Sequence, residues 1–263
     1  QDLRGAAEIV QRQALMDSER FEFYSGMPLV TKGRIRGVLE VFHRSPRPLD
    51  ETWLRLLDAL SAQTAIAVEN ASMFQDLQRS NADLGLAYEA TIEGWSRALD
   101  LRDRETEEHT QRVTDLTVRL ALRLGVDNAD IVHLRRGAVL HDIGKVAIPD
   151  RILFKPGPLE DDEWKIMRRH PGIAVDLLSS VSYLAPALDI PHWHHEKWDG
   201  TGYPDRLGGK EIPFPARLFA LVDVYDALIS NRPYRGAWSK DDTIRYIADQ
   251  SGKHFDPRIV PEF

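Results

Sequence analysis

Residues Ala138–Lys145 read AVLHDIGK: an apolar run, a histidine beside an aspartate, then a glycine and a lysine. His141 offers a nitrogen ligand, and the Asp142 carboxylate has two oxygens with which to bridge two cations. Taken alone, such a dipeptide is better explained as solvated surface or a helix cap. The rest of the chain changes the balance. Of nine histidines in 263 residues, eight fall from His109 to His254. His109 follows Glu105 by four residues, which places both on one helical face. His170 is expected to end the helix EWKIMRRH, and His194 and His195 are adjacent. Asp223 sits in the apolar stretch ARLFALVDVYDAL, where a lone carboxylate is costly to bury. Each residue singly has an ordinary structural explanation. Together, spread over four or five helices, they point to a polynuclear metal site in a bundle core. Imidazole and carboxylate ligands without sulfur suit iron, manganese, zinc or nickel rather than calcium.

Helical periodicity surrounds these residues. It predicts helices over Thr110–Leu124, Asp130–Leu140, Glu160–His170, Ile173–Leu178, Pro215–Ser230 and Lys240–Gln250, so residues 98–263 read as an all-α domain. Upstream the pattern changes. Phe21–Val30 and Ile35–Phe42 read as strands around Thr31-Lys32-Gly33-Arg34, with Ile35, Gly37, Leu39 and Val41 expected on one face. A hairpin alone is marginally stable, so further sheet is expected ahead of residue 1. Asp50 is a candidate N-cap for a helix that only Gly85 and Gly94 weaken before about Asp100, at roughly 1 kcal/mol each. Phe74, Leu77, Asn81, Leu84 and Tyr88 fall on a heptad seam whose Asn would fix the register of a parallel homodimer. A single helix packed on its own domain is the alternative. The expected division is residues 1–74, a connecting helix over 75–97, and residues 98–263; the class is mainly α, with a partial α+β segment in front.

Composition narrows the function. Hydrophobic residues make up 43% and charged residues 29%, a globular balance. No apolar run is long enough to span a bilayer, and the start QDLRGAAEIV lacks the features of a signal peptide. The absence of cysteine excludes disulfides and thiolate chemistry and fits a cytoplasmic location. A net charge of −7 argues against a DNA or RNA polymer as partner, so an anionic small ligand needs local cations or metals.

With these residues in view, HDIGKVAIPDRILFKPGPL (141–159), HHEKWDGTGYPDRLGGKEIP (194–213) and SNRPYRGAWS (230–239) resemble the HD phosphohydrolase superfamily. Gly202-Tyr203-Pro204 matches the signature of its HD-GYP subfamily. PLVTKGRIRGVLEVF (28–42) and SPRPLDETWLRLLDALSAQTAIAVENA (45–71) resemble the C-terminal half of a GAF domain. The resemblance implies an all-α, metal-dependent phosphodiesterase that cleaves cyclic di-GMP to pGpG, and on to GMP where a third metal supports a second cut, using two or three divalent metals, commonly iron or manganese. Carried over residue by residue, it gives His109, His141, Asp142 and Asp223 to one metal, and Asp142, His170, His194 and His195 to a second. Glu105 would help hold a third metal, or is a solvent-facing glutamate. Lys145 would protonate the leaving oxygen, or is an ordinary lysine. Arg232 and Arg235 would contact the substrate phosphates, and Tyr203 would stack on a guanine or stiffen the loop. His43, His133, His192 and His254 are read as structural, His192 being the one placed to support the ligands. Two other functions stay open at this point: cleavage of cyclic GMP-AMP, and binding of cyclic di-GMP without turnover.

Overall fold

The computed structural model describes residues 18–45, 50–103, 107–231 and 236–263. The chain divides into two compact units, with the boundary between Leu86 and Ala87. The fold is mainly α, with a single two-stranded sheet among the described residues.

In the first unit, β1 (Phe23–Thr31) pairs antiparallel with β2 (Arg34–His43). Lys32 and Gly33 form the two-residue loop, both with positive φ (47° and 75°), the backbone twist that matches flanking strands. The pairing steps irregularly: Leu29 faces Gly37, Val30 faces Ile35, and Arg36 is the extra residue of a bulge. Side chains alternate across a strand, so one inserted residue reverses the faces beyond it. This corrects the expectation for Ile35. It parts from Gly37, Leu39 and Val41 and points outward beside Val30, 71% exposed. Asp50 caps the long helix α1 (Glu51–Asp103), its Oδ1 accepting the Trp53 N–H at 2.7 Å. Buried Leu29, Leu57 and Ala65 form the small core here. Glu69 ties the helix to the hairpin, accepting from Arg36 Nε at 2.6 Å and Thr31 Oγ1 at 3.2 Å.

The second unit is a bundle. α2 (Glu107–Arg123) packs against both α3 (Asn128–Val139) and α8 (Phe214–Ile229). Gly125, with φ 78°, ends α2, and Asp127 caps α3 by accepting the amides of Ala129 and Asp130. Between them come α4 (Asp150–Leu153), α5 (Asp161–Met167), α6 (His170–Leu178) and α7 (Asp189–Trp193), with α9 (Lys240–Asp249) last. Val113, Leu134, Leu218, Phe219, Ile247 and Phe255 form the heart of the core. One helix boundary near the site falls within a residue of expectation, and one does not. The helix before the HD pair stops at Val139, and His141-Asp142 occupy the turn leading into a short 3-10 helix, Ile143–Ala147. α5 stops at Met167, and His170 opens α6 instead of closing the preceding helix. Pro171 in the first turn explains it: with no N–H to donate and a ring that clashes with the carbonyl four residues back, proline stops a running helix but suits the first turn of a new one.

Candidate metal centre

Four histidines project from different elements into one buried space. His109 comes from α2, His141 from the turn after α3, His170 from the start of α6, and His194 from the end of α7. His195 follows, and Asp223 comes from α8. The potential ligand atoms form two groups, each within 4.8 Å: His109, His141 and Asp223, and Asp142, His170, His194 and His195. Asp142 faces both. Its Oδ2 lies 3.1 Å from His141 Nε2, while its Oδ1 lies 3.3 Å from His170 Nε2 and 3.9 Å from His194 Nε2.

The ring orientations are held by the backbone. Nδ1 of His141, His170 and His194 lies 2.8, 2.9 and 3.0 Å from the carbonyl oxygens of Ala138, Met167 and Ile190. Those acceptors make Nδ1 the protonated nitrogen and turn the Nε2 lone pair inward. The inward Nε2 atoms of all three, and Asp142 Oδ1, are buried without a hydrogen-bond partner among the described residues. Buried polar atoms are ordinarily satisfied, so a convergent set left unsatisfied fits divalent cations. His109 is held differently. Its Nδ1 is 2.7 Å from Asp226 Oδ2, and Asp226 also accepts from Arg112 Nε (2.7 Å) and Nη2 (3.0 Å).

Close backbone approach sets the spacing of the two groups. A Cβ at Gly144 would collide with the His170 carbonyl and the Ala174 amide, so only glycine lets the HD turn meet α6. Gly202 likewise lies against the backbone of Glu196 and Lys197.

The electrostatics match a cation site. Burial disfavours a charged His141, yet the carboxylates of Asp142 and Asp223 outweigh it and raise its pKa to about 9. That position attracts positive charge. Burial lowers the pKa of His170 and holds His194 and His195 well below the ordinary histidine value, which keeps their lone pairs available. Burial raises the Asp142 pKa, but Lys145 and His141 more than reverse it, and the group stays ionised. Lys145 Nζ is 2.6 Å from Asp142 Oδ2. Tyr203 stacks on His195 at 4.6 Å between centroids, and the Arg168 guanidinium lies 5.3 Å from the Tyr203 ring. Burial, then Asp142, raises the Tyr203 pKa, so its hydroxyl keeps its proton.

Of the residues singled out in the sequence, Glu105, Arg232 and Arg235 lie outside the described residues. His192 stacks on Trp193 with its Nε2 3.7 Å from Asp205, in neither ligand group. His43, His133 and His254 also stand apart from both. Three residues of the site went unnoticed. Asp226 was legible as the second carboxylate, three residues after Asp223, in an apolar helix. Glu196 adjoins the histidine pair and is buried, its Oε1 accepting the amides of Asp205 (2.7 Å) and Arg206 (2.9 Å), which pins the Gly202-Tyr203-Pro204 loop. Arg112 carries no local signal.

Residues 94–259 match the HD domain family model. The chain belongs to the HD domain family. Ahead of the HD domain, residues 10–70 match the GAF domain model. A 3′3′-cGAMP-specific phosphodiesterase (number 2) of Vibrio cholerae is 34% identical over 98% of this chain and 49% of its own length. The cyclic di-GMP phosphodiesterase response regulator RpfG of Xanthomonas campestris is 37% identical over 82% of this chain and 57% of its own. A cyclic di-GMP phosphodiesterase of Vibrio cholerae is 40% identical over 75% and 43%. The chain thus spans about half the length of the curated relatives it matches. A crystal structure described as a cyclic GMP-AMP specific phosphodiesterase (V-cGAP3) of V. cholerae superposes with TM-score 0.52 and 19% identity, covering 65% of this chain and 46% of that one. It shares the HD domain's fold. Among the described residues, no helix is long and apolar enough to cross a membrane.

Proposed function

We propose that this HD domain is a metal-dependent phosphodiesterase that hydrolyses cyclic di-GMP to pGpG, acting downstream of a GAF-type segment. One observation carries the reading: a single aspartate turns its two oxygens toward two separate histidine sets, with a lysine ammonium 2.6 Å from it. Names of relatives support the substrate class. His109, His141, Asp142 and Asp223 would hold one divalent metal, and Asp142, His170, His194 and His195 the second; iron or manganese suits this ligand set. Glu105 would extend the site to a third metal. When bound, such metals activate water at neutral pH and neutralise phosphate charge.

The chain's own residues supply the rest. In hydrolysis the water oxygen bonds to phosphorus, the bond from phosphorus to the 3′-oxygen breaks, and that oxygen needs a proton. Lys145, with its Nζ 2.6 Å from Asp142 Oδ2, would donate it. Tyr203, braced against His195, offers a ring face and an un-ionised hydroxyl to the nucleotide. Arg232 and Arg235 would hold the phosphates of the anionic substrate. A second cut of pGpG to GMP accompanies the three-metal form. The relative matching 98% of this chain is named for 3′3′-cGAMP, which makes cyclic GMP-AMP the second reading. We further propose a parallel homodimer along Phe74, Leu77, Asn81, Leu84 and Tyr88. Phe74 and Leu77 are more than half exposed within one chain, whereas Tyr88 also stacks on Tyr183 at 4.9 Å.

The test is chromatographic. Iron- or manganese-loaded protein, beside an Asp142→Ala control, is incubated with cyclic di-GMP and with cyclic GMP-AMP. pGpG from cyclic di-GMP, absent in the control, is expected. Exclusive turnover of cyclic GMP-AMP moves the reading to the second substrate, and tight binding without products makes the domain a receptor.

A further inference from the structure

Lys145 is not held by Asp142 alone. The last turn of α1 reaches the 3-10 helix that carries it. Arg102 donates to the Val146 carbonyl, to the Ile148 carbonyl at 2.9 Å and to Asp150 Oδ1 at 3.0 Å, so it grips the backbone directly after Lys145. The next residue, Asp103, turns a carboxylate only 3% exposed toward the same segment, with Oδ2 3.6 Å from Lys145 Nζ. Asp103 belongs to neither ligand group. Burying a carboxylate is costly without a compensating charge, and Lys145 supplies one.

We infer that Asp103, backed by the Arg102 grip, is a positioning residue for Lys145 and fixes the ammonium at the point where the leaving oxygen departs. This rests on the proposed phosphodiesterase reading, because only a proton donor needs that precision. The physical need is specific. A lysine side chain has four flexible carbons and loses about 2 kcal/mol of rotamer freedom when held at one point. Asp142 alone would not supply the whole restraint, because divalent cations held on the same carboxylate would repel an ammonium. A second carboxylate, outside the ligand set and fixed to another element, opposes that repulsion.

The experiment compares two substrates on the metal-loaded full chain, with metal content measured for every variant. Cyclic di-GMP has an alkoxide leaving group that needs a proton; bis(para-nitrophenyl) phosphate releases a nitrophenolate that does not. Asp103→Asn is expected to lower kcat on cyclic di-GMP about 10- to 100-fold, within the usual contribution of a general acid. KM, metal content and turnover of the nitrophenyl ester stay unchanged. Asp103→Glu recovers part of the loss. In a Lys145→Ala background, Asp103→Asn adds nothing. Equal slowing of both substrates, or an undiminished effect without Lys145, overturns the inference. A second readout needs no turnover: the Lys145 side-chain ammonium resonance in zinc-loaded protein, expected to be protected from exchange in the wild type and exposed in Asp103→Asn. An unchanged resonance also overturns the inference. If the wild type cleaves the nitrophenyl ester but no cyclic dinucleotide, the substrate reading falls, and the resonance still decides the role of Asp103.

Discussion

Replacing Asp226 by asparagine should unload one metal and leave the other. Asp226 has no exposed side-chain surface and belongs to neither ligand group; it acts through His109. Its two oxygens accept from His109 Nδ1 at 2.7 Å and from Arg112 at 2.7 and 3.0 Å. Burial works to raise its pKa, but the His109 and Arg112 hydrogen bonds prevail and hold it well below the ordinary carboxylate value. An asparagine keeps the volume and replaces one acceptor oxygen with a donor NH2, which must then confront either His109 Nδ1–H or Arg112. His109 loses the partner that sets its tautomer and ring angle. Changes to such supporting carboxylates typically weaken metal binding about 10- to 100-fold, or roughly 1.4–2.7 kcal/mol. The loss should fall on the group of His109, His141 and Asp223, because His170 and His194 take their orientation from separate backbone carbonyls. Equilibrium dialysis under anaerobic conditions, followed by elemental analysis, measures both affinities. The expected result is one weakened site and one unchanged site, with cooperative unfolding retained. Equal weakening of both sites, or of neither, would refute the argument that Asp226 orients His109.

Two further outcomes can be checked away from the ligands. Burial, then the Lys197 charge, lowers the pKa of His254 to about 4, against about 6.5 in an unfolded chain, so the folded form keeps it neutral. The unfolded state therefore binds the extra proton between these values, and stability falls as pH drops from about 6.5 to 4, by roughly 2–3 kcal/mol. In urea titrations, His254→Asn should lose less stability than wild type over that window; parallel curves would remove His254 from the account. On α1, Leu77→Lys places a charge in the proposed heptad seam. Sedimentation should show the dimer dissociating, by at least about 10-fold in Kd, with metal content intact; an unchanged sedimentation profile counts against that seam.

Chemistry-bearing residue types were readable from the linear order because metal ligation admits few alternatives. With cysteine absent, imidazole and carboxylate were the remaining ligands, and their convergence on a helical pattern was the signal. Local geometry was readable too. Lys32-Gly33 forms the turn expected of it, and Asp50 caps α1, since both depend on residues within three positions. Expectations failed where a neighbour across the fold, or an irregularity in pairing, overrode the local period. Ile35 left its expected face because Arg36 bulges from the ladder. His170 begins a helix because Pro171 admits it there and Gly144 lets the HD turn press against it.

What the amino-acid order by itself determined is the inventory: a mainly α chain, its ligand types, and the HD and Gly-Tyr-Pro signatures. Only the tertiary structure decided which oxygen of Asp142 faces which histidine set, that Asp226 steers His109 across 117 residues, and that α1 ends beside Lys145. The reason is range. Backbone preference and periodicity act over a few residues, whereas these contacts join residues tens of positions apart, and packing alone brings them to within hydrogen-bond or ion-pair distance.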